Sequence, residues 1–451
     1  MREFTSIDLF SGPGGLATGF FWAGIKPLIA VEWTNTTVQT YSKSHNADIF
    51  ELEQYLTGEM KNPEQFFLPN DKTLLIHGDI NKVSNELIMK LLTERFGTKT
   101  VDIVTGGAPC ESFSMAGKRA HEDDRDELFL NILRISRFVK SKMIMFENVK
   151  GLLSKKNKDE SIFENICDEF EANDRETNYF LASRNPKEVL LKASDYGVPQ
   201  NRERVFLVAI RQDLNAIYSY PEKTHGSDKI FPYVTVGNAL LDLPQINAGE
   251  ENNEYKFSLS DKNLEIQQKE FLFQMRGLTL GTPQHLSDNE NILSSHRAVN
   301  HREKMIKRME LIRQGESMKT AAERLILEGK EDLRKDVFPA KLYGARNRRL
   351  KEDNPSFTVT SHCLDEMIHP LKDRGLTPRE AARLQSFPDW YVFEGPYVKF
   401  HSDPEQDQYE QIGDAIPPLL AFALAKEVVK TLEQIYEQWS EDEKQEELIN
   451  I

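Results

Sequence analysis

The feature that most constrains the fold is an alternation of short apolar segments with longer amphipathic segments over the first 220 residues. The apolar segments have the length and composition of buried strands, and the segments between them have helical spacing. This alternation predicts an α/β fold with a mostly parallel sheet and helices on both faces. The predicted strands are residues 4–10, 27–31, 74–76, 101–105 and 143–146, with further strands at 179–191 and 204–210, and the predicted helices are residues 15–23, 34–44, 83–96 and 126–139.

The alternation stops in the middle of the chain. Residues 233–343 are polar and include a long charged helical segment at 301–329. Strand-like and helix-like segments resume at 356–360 and 378–384, and a strong final helix at 417–439 precedes an acidic tail. We therefore expect a smaller domain inserted between two parts of one core, with boundaries at residues 1–225, 226–350 and 351–451.

Composition limits the class of protein. The chain has 451 residues and a formal net charge of −15, which at first sight argues against a nucleic-acid partner. Net charge does not exclude a local basic cluster, however. The three cysteines, Cys110, Cys167 and Cys363, are too few for a disulfide framework and lack zinc-site spacing, so no metal is expected. The longest apolar run, residues 416–425, is half the length of a membrane-spanning helix, and no signal peptide is seen. Both observations predict a soluble, cytoplasmic protein.

A glycine-rich turn follows the first predicted strand, in the stretch Asp8-Leu-Phe-Ser-Gly-Pro-Gly-Gly-Leu16. A strand that enters such a turn and then a helix is typical of a nucleotide-type cofactor loop, although an ordinary strand-to-helix turn explains it equally well. The spacing differs from the GxGxxG fingerprint, which disfavours NAD. Glu32, at the end of the second strand, suits a pair of ribose hydroxyls, and Asp79, after the third, suits a polar edge of adenine.

Three further groups of residues carry candidate chemistry. Cys110 follows the strand 101–105 among Gly, Pro, Ser and Glu, neighbours that favour a reactive thiol over a buried one. Glu147 ends the next strand, where it either caps a helix or serves as a general acid. Arg202 and Arg204 begin a later strand, as a solvated strand start or as a clamp for an anion or a base edge.

Taken together, these motifs resemble the DNA (cytosine-5) methyltransferase family in order and spacing. The resemblance covers residues 4–210 and 355–430 and excludes the middle. It implies a Rossmann-like S-adenosylmethionine-dependent domain with an inserted target-recognition domain. The matching stretches are DLFSGPGG, GGAPCESFS, FENV and QNRERVF, then LTPRE with LQSFPD, and QIGDAIPP.

The resemblance also implies a cofactor, S-adenosyl-L-methionine, which leaves as S-adenosyl-L-homocysteine. Glu32 would bind the ribose, and the residues Asp414 and Ile416 of the last motif would close the pocket. Asp414 stands where the family more often has Asn, which adds a negative charge near the amino-acid end of the cofactor. The implied cofactor residues are Phe10, Gly12, Gly14, Gly15, Glu32, Trp33, Asp79, Ile80, Pro109, Leu128, Asp414 and Ile416.

The implied reaction is covalent. The Cys110 thiolate would add to carbon 6 of cytosine, and Glu147 would protonate ring nitrogen 3. Arg204 would hold the carbonyl oxygen of the base, with Arg202 as support. The base must leave the duplex to reach the thiol. Glu111 stands where Gln is more usual, beside the path of the flipped base.

Positive charge is concentrated where DNA would bind. Residues 297–350 contain 15 Lys or Arg and 8 Asp or Glu, a local balance of +7 within a chain of −15. A solvated helix face accounts for part of this charge, and phosphate contacts for the rest. The predicted DNA contacts are Ser114, Lys118 and Arg125 in a loop that closes over the base, and Arg346, Arg348 and Arg349 in the recognition domain.

The sequence therefore predicts a DNA (cytosine-5-)-methyltransferase of a bacterial or phage restriction-modification system. Its expected partners are double-stranded DNA and a cognate restriction endonuclease acting on the same site, and no membrane. A nucleoid-associated monomer is expected, since one base is flipped per turnover. Two alternatives are a tRNA cytosine methyltransferase of the same fold and a catalytically silent DNA-binding homologue. The long middle region disfavours the first, and the presence of Cys110, Glu147 and Arg204 disfavours the second.

Overall fold

The computed structural model describes residues 3–108, 128–157, 160–172, 175–254, 266–283, 285–286, 293–399 and 405–439. The chain divides into two compact units. The first unit comprises Met1–Lys192, Glu203–Glu222 and Leu420–Ile451, and the second comprises Ala193–Arg202 and Lys223–Leu419.

Strands are numbered in chain order. They are β1 Phe4–Leu9, β2 Ile25–Glu32, β3 Asp48–Glu51, β4 Leu74–His77, β5 Ile103–Gly106, β6 Met143–Val149, β7 Lys156–Asn157, β8 Glu160–Ser161, β9 Tyr179–Leu181, β10 Leu190–Lys192, β11 Gln200–Asn201, β12 Glu203–Arg211, β13 Arg348–Arg349, β14 Ser356–Phe357 and β15 Met367–Ile368.

Helices are numbered in the same way. They are α1 Gly15–Trp22, α2 Asn35–His45, α3 Leu52–Thr57, α4 Asn85–Lys90, α5 Leu130–Phe138, α6 Ile162–Phe170, α7 Pro186–Val189, α8 Val236–Leu240, α9 Ile266–Met275, α10 Glu303–Glu310, α11 Met318–Leu327, α12 Glu331–Val337, α13 Cys363–Glu366, α14 Pro378–Leu384, α15 Gln408–Asp414 and α16 Pro418–Gln438.

The first unit is built on a nine-stranded sheet of order β10-β12-β6-β5-β1-β2-β4-β3, with β9 also paired to β12. The six strands from β3 to β6 along this order are parallel, and β12 runs antiparallel to β6, β9 and β10. Strands buried on both faces are continuous apolar runs, and Ile7, Ile29 and Ile144 are fully buried here. The predicted α/β class with a mostly parallel sheet is confirmed.

Three details of the first unit differ from the sequence-based prediction. The segment 179–191 was expected to be one strand, but Pro186 starts the short helix α7, which separates β9 from β10. The edge strand β3 was missed because it is only four residues long and has just two apolar residues, which stand between two acidic ones. Helix α4 continues into a π turn at Leu91–Arg95, so the predicted helix 83–96 begins later than expected.

The end of α16 packs against the start of the first unit's sheet. The hydroxyl of Tyr436 donates to Asp102 at 2.7 Å, and the ring of Tyr436 lies 6.0 Å from that of Phe4. The buried ammonium of Lys142 lies 3.3 Å from Asp102 and 4.9 Å from the Tyr436 ring centroid. This helix therefore belongs to the first unit although it is last in the chain.

The second unit is mainly helical in its described part, with short paired strands. The predicted long helix at 301–329 is two helices, α10 and α11, because Gly315 adopts φ +81° between them. Ser317 then starts α11 through a capping box with Thr320. The predicted strand 356–360 is reduced to β14.

The interior of the second unit also contains many charged groups. Glu380 lies 2.7 Å from Arg374, and Arg383 lies 2.5 Å from Asp389 and 3.1 Å from Asp242. Among the residues described for either unit, no helix is both long enough and apolar enough to cross a membrane.

Candidate functional site

The glycine-rich turn lies at the carboxyl end of β1, between that strand and α1. Phe10, Gly12 and Gly14 all have positive φ angles, of 55°, 55° and 95°. The two glycines tolerate this conformation, whereas Phe10 is under backbone strain, a condition concentrated at functional sites. Helix α1 starts at Gly15 with no side-chain cap and no acidic residue in its first turn, so its N-terminus favours an anion.

Glu32 ties this turn to the next helix. One of its carboxylate oxygens accepts the backbone N–H of Gly12 at 3.0 Å, and the other accepts those of Trp33 and Thr34 at 2.9 Å. The structure thus brings together the predicted glycine and ribose residues. The side chain of Trp33 is 74% exposed beside them.

Two further predicted cofactor residues of the first unit, Asp79 and Ile80, lie at the same edge of the sheet. Asp79 and Ile80 follow β4, whose last residue is in register with Glu32. Asp79 is exposed and accepts the N–H of Asn81 at 2.9 Å, whereas Ile80 is buried. Leu128, like Phe10, packs on the main core. The carboxyl ends of neighbouring parallel strands meet at one edge of a sheet, so Asp79 and Ile80 lie at the same edge as Glu32.

Asp8, the last residue but one of β1, is a buried acid that the sequence reading did not single out. Its Oδ1 accepts the hydroxyl of Thr105 at 2.8 Å, and its Oδ2 has no hydrogen-bond partner among the described residues. Burial raises the pKa of Asp8 to about 7. A buried carboxyl oxygen without a hydrogen bond is unusual, and at this edge of the sheet it is available to accept one from a bound ligand.

Glu147 and Arg204, both predicted catalytic residues, form an ion pair. Their Oε1 and Nε atoms are 3.0 Å apart, and both side chains are mostly buried. The pair follows from strand register, since Glu147 lies opposite Phe206 and Arg204 opposite Val149 in the β6–β12 ladder. Diagonal neighbours on one face of an antiparallel pair are within reach of long side chains.

Residues at the end of β6 also contact the backbone segment that leads to Cys110. A Cβ atom on Gly107 would lie 2.8 Å from Oε2 of Glu147, so only glycine fits there without displacing the carboxylate. The buried side chain of Asn148 donates to the carbonyl of Ala108 at 3.3 Å. Several predicted residues lie outside the described part of the chain, namely Pro109, Cys110, Glu111, Ser114, Lys118 and Arg125.

The second unit contains the other predicted residues. Arg202 is buried, and its Nη1 donates to the carbonyl of Val359 at 2.9 Å. Asp414 is the exposed last residue of α15, and Ile416 follows it half-buried. Gly413 lies where a Cβ would come within 2.2 Å of the backbone at Thr360, so α15 packs directly on that segment.

The three clustered arginines have different environments. All five N–H groups of Arg349 donate within the unit, to four backbone carbonyls and to Asp373. The guanidinium of Arg348 lies 3.3 Å from the ring centroid of Phe357 and 3.6 Å from Glu366. Arg346 is exposed. The predicted phosphate contact of Arg349 thus needs correction, because its donors are already used in holding the fold.

A sequence model described as C-5 cytosine-specific DNA methylase matches residues 4–430, which is nearly the whole chain. The chain belongs to this family. As a C-5 cytosine-specific DNA methylase, it is a member of a family that in general uses S-adenosylmethionine.

Two bacterial proteins are similar to this DNA methylase over most of both lengths. Type II methyltransferase M.DdeI of Desulfomicrobium norvegicum is 31% identical over 432 residues, covering 95% of this chain and 89% of its own. Type II methyltransferase M1.HphI of Haemophilus parahaemolyticus is 30% identical, covering 95% and 87%. A solved DNA modification methyltransferase encoded within an Escherichia coli prophage is 23% identical with a TM-score of 0.66, covering 95% and 99%, which supports the fold.

Sequence reasoning missed three residues of this DNA methylase that shape its candidate site. Asp8 and Gly107 lie inside quoted motifs but were not given roles, and Asn148 was passed over beside Glu147. The one signal available for Asn148 was its position, since it is a polar residue directly after a catalytic candidate at the end of a strand. For Gly107 the signal was weaker, because a glycine before a loop usually serves the turn itself.

Proposed function

We propose that this DNA methylase transfers a methyl group from S-adenosylmethionine to carbon 5 of a cytosine flipped out of duplex DNA, through a covalent Cys110 adduct. The observation that carries the proposal is the Glu147–Arg204 pair beside the backbone that leads to Cys110. A carboxyl group and a guanidinium held 3.0 Å apart offer an acid and a hydrogen-bond clamp to one face of a base.

The residues at the carboxyl edge of the sheet fit the cofactor. Positive φ angles at Gly12 and Gly14 allow close backbone approach, and the uncapped N-terminus of α1 suits a carboxylate. Glu32 retains lone pairs for ribose hydroxyls beyond its three backbone bonds. The cofactor supplies the electrophilic methyl group. We propose that it is held by Phe10, Gly12, Gly14, Gly15, Glu32, Trp33, Asp79, Ile80, Pro109, Leu128, Asp414 and Ile416.

The chain's own residues then make carbon 5 nucleophilic. The Cys110 thiolate adds to carbon 6, and the displaced electron pair moves toward ring nitrogen 3, which takes a proton from Glu147. Arg204 donates to the carbonyl oxygen of the base, and Arg202 supports that segment. Carbon 5 of the resulting enamine takes the methyl group. The carbon-5 proton then passes to solvent water, its electron pair restores the carbon 5–carbon 6 double bond and Cys110 leaves as thiolate, while nitrogen 3 returns its proton to Glu147.

Recognition of duplex DNA is proposed for residues 226–350, between catalytic parts at 1–225 and 351–451. Residues 233–343, the polar stretch, fall wholly within the second compact unit. Ser114, Lys118 and Arg125 would contact phosphates around the flipped base, and Arg346 and Arg348 would contact DNA from the recognition domain. Arg349 is left out of this set because its donors are used within the unit.

The similar Type II methyltransferases support a restriction-modification role. We propose that the protein acts as a monomer on DNA in the bacterial cytoplasm, alongside a cognate endonuclease for the same site, with S-adenosyl-L-homocysteine as product. The same relatives favour DNA over tRNA as substrate.

Bisulfite sequencing of DNA from expressing cells tests the proposal. Unconverted cytosines at a fixed sequence are expected with the wild type and the control Cys167→Ala, and none with Cys110→Ala. Cys167 is a suitable control because it is a buried core thiol whose pKa burial raises to about 12, which makes it unreactive. Equal methylation by Cys110→Ala would show that the nucleophile is assigned wrongly.

A further inference from the structure

The basic residues of the second unit fall into two groups. On the helices they are mostly paired with acids one turn away: Lys307 with Glu303 at 2.9 Å, and Lys335 with Glu331 at 3.7 Å. Such pairs are typical of a solvated helix face. The helical part of the positive charge is therefore largely neutralised locally.

The loop between α12 and β13 is different. Residues 339–350 contain four basic residues and no acidic one. Lys341 and Arg346 are exposed and form no ion pair among the described residues. Between them in the chain is Tyr343, 43% exposed, whose ring centroid lies 5.1 Å from Nζ of Lys341 and 5.4 Å from Cζ of Arg346.

This loop is anchored at both ends, so its exposed side chains are held in place. Before it, Val337 and Phe338 are buried in a small core on which Leu342 also packs. After it, Asn347 takes a positive φ of 47° and bonds twice to the carbonyl of Asp365, and Arg349 uses all five donors. Side chains on a preorganised loop lose less entropy on binding than side chains on a free one.

An exposed aromatic ring fits a polyanion that offers planar surfaces when it is flanked by two cations that form no ion pair among the described residues, in a stretch of sequence without acidic residues. We infer that Lys341, Tyr343 and Arg346 form a DNA contact in which the Tyr343 ring packs against a nucleotide and the two cations lie on flanking phosphates. The ring contacts a nucleotide by stacking or by apolar packing, and the cations neutralise charge on the phosphate backbone of the DNA. This inference rests on the proposed function, and it assigns a role in target binding to Tyr343 and Lys341.

The experiment uses the full-length protein and a duplex containing the site located by bisulfite sequencing. Binding is measured over a range of salt concentrations, and methylation is measured as kcat/KM. Tyr343→Ala is expected to weaken binding of the specific duplex by about tenfold or more, and Tyr343→Phe to retain most of it, because the ring provides the contact. Lys341→Gln is expected to reduce the salt slope by about one, and the matched control Lys335→Gln, whose cation is already paired, to leave it unchanged.

The outcomes separate the two levels of the proposal. If wild-type protein methylates DNA but Tyr343→Ala binds and methylates like wild type, the DNA contact at this loop is wrong. If wild-type protein neither binds nor methylates the duplex, the proposed function itself fails. A thermal unfolding midpoint of Tyr343→Ala equal to that of wild type, as expected for an exposed ring, attributes a loss of binding to the lost contact.

Discussion

Two buried ionisable groups, one in each unit, are hydrogen-bonded to very different extents. In the first unit, the carboxyl group of Asp8 is buried at the sheet edge with one hydrogen bond, from Thr105. In the second unit, Arg383 is buried with five polar contacts, to Asp389, Asp242 and a carbonyl. An incompletely satisfied buried group is costly and persists where a ligand or a reaction needs it, whereas a fully bonded one fixes structure. Asp8 therefore has the character of a ligand-binding or reactive group at the sheet edge, whereas Arg383 has the character of a group that stabilises the fold.

The largest effect expected from this comparison is on the stability of the second unit. Glu380→Gln removes the carboxylate that faces Arg374 at 2.7 Å, and leaves a buried guanidinium without its counter-charge. We expect the free energy of unfolding to fall by about 3–5 kcal/mol. Urea denaturation measures this loss.

The matched control is Glu331→Gln, which breaks an exposed pair with Lys335. Exposed pairs contribute roughly 0–1 kcal/mol, so little change is expected. Equal stability of the two variants would show that the buried network is not what holds the second unit together.

The second prediction concerns pH and has opposite signs in the two units. Burial lowers the pKa of His369 to about 4 from 6.5, against the opposing effect of Glu380, whose carboxylate lies 3.7 Å away. The unfolded chain therefore binds this proton more readily than the folded one. The contribution is fully present above pH 6.5 and is lost as pH falls through 4, an effect of about 3 kcal/mol.

Asp8 behaves in the opposite sense. Burial raises its pKa from 3.8 to about 7, so the folded state holds the proton more tightly than the unfolded state. Its contribution is present below pH 3.8 and is lost as pH rises through 7. Urea midpoints at pH 4, 5, 6 and 7 should show that His369→Gln reduces the rise of stability with pH between pH 4 and 6.5, and that Asp8→Asn reduces the fall of stability with pH between pH 3.8 and 7. Unchanged pH curves in both variants would contradict this assignment.

The smallest effect is expected at the candidate site and should appear in activity rather than in stability. Gly107→Ala places a Cβ 2.8 Å from Oε2 of Glu147, which must shift away from its pairing with Arg204. We expect kcat to fall by about tenfold, because small displacements of a catalytic group are costly.

The control for this variant is Gly151→Ala, just after β6, whose new Cβ would meet its nearest neighbour at an ordinary 3.8 Å. Methyl transfer from labelled cofactor to DNA measures both variants. If Gly107→Ala turns over as fast as Gly151→Ala, the position of the Glu147 carboxylate is not critical.

Much of the first unit was predictable because its signals are local. Short apolar segments predicted β1, β2, β4, β5 and β6, and the glycine turn lies between β1 and α1, as its sequence predicted. The Glu147–Arg204 pair was foreseen only as two separate candidates. Their contact depends on the antiparallel register of β6 and β12, which are separated by more than 50 residues.

The second unit was less predictable for the same reason. Arg346 and Arg349 are the same residue type three positions apart, yet one is exposed and the other uses every donor. The partners of Arg349 come from residues 309 to 373, and no local pattern identifies them.

The order of motifs in the chain was enough to predict the α/β class and the family, and to name candidates for cofactor binding and catalysis, because each motif is a short stretch whose chemistry and periodicity are local. Only the folded structure decided which charges are buried, which pairs form and which cations stay free. Burial and partnership depend on segments far apart in sequence, and packing brings those segments together.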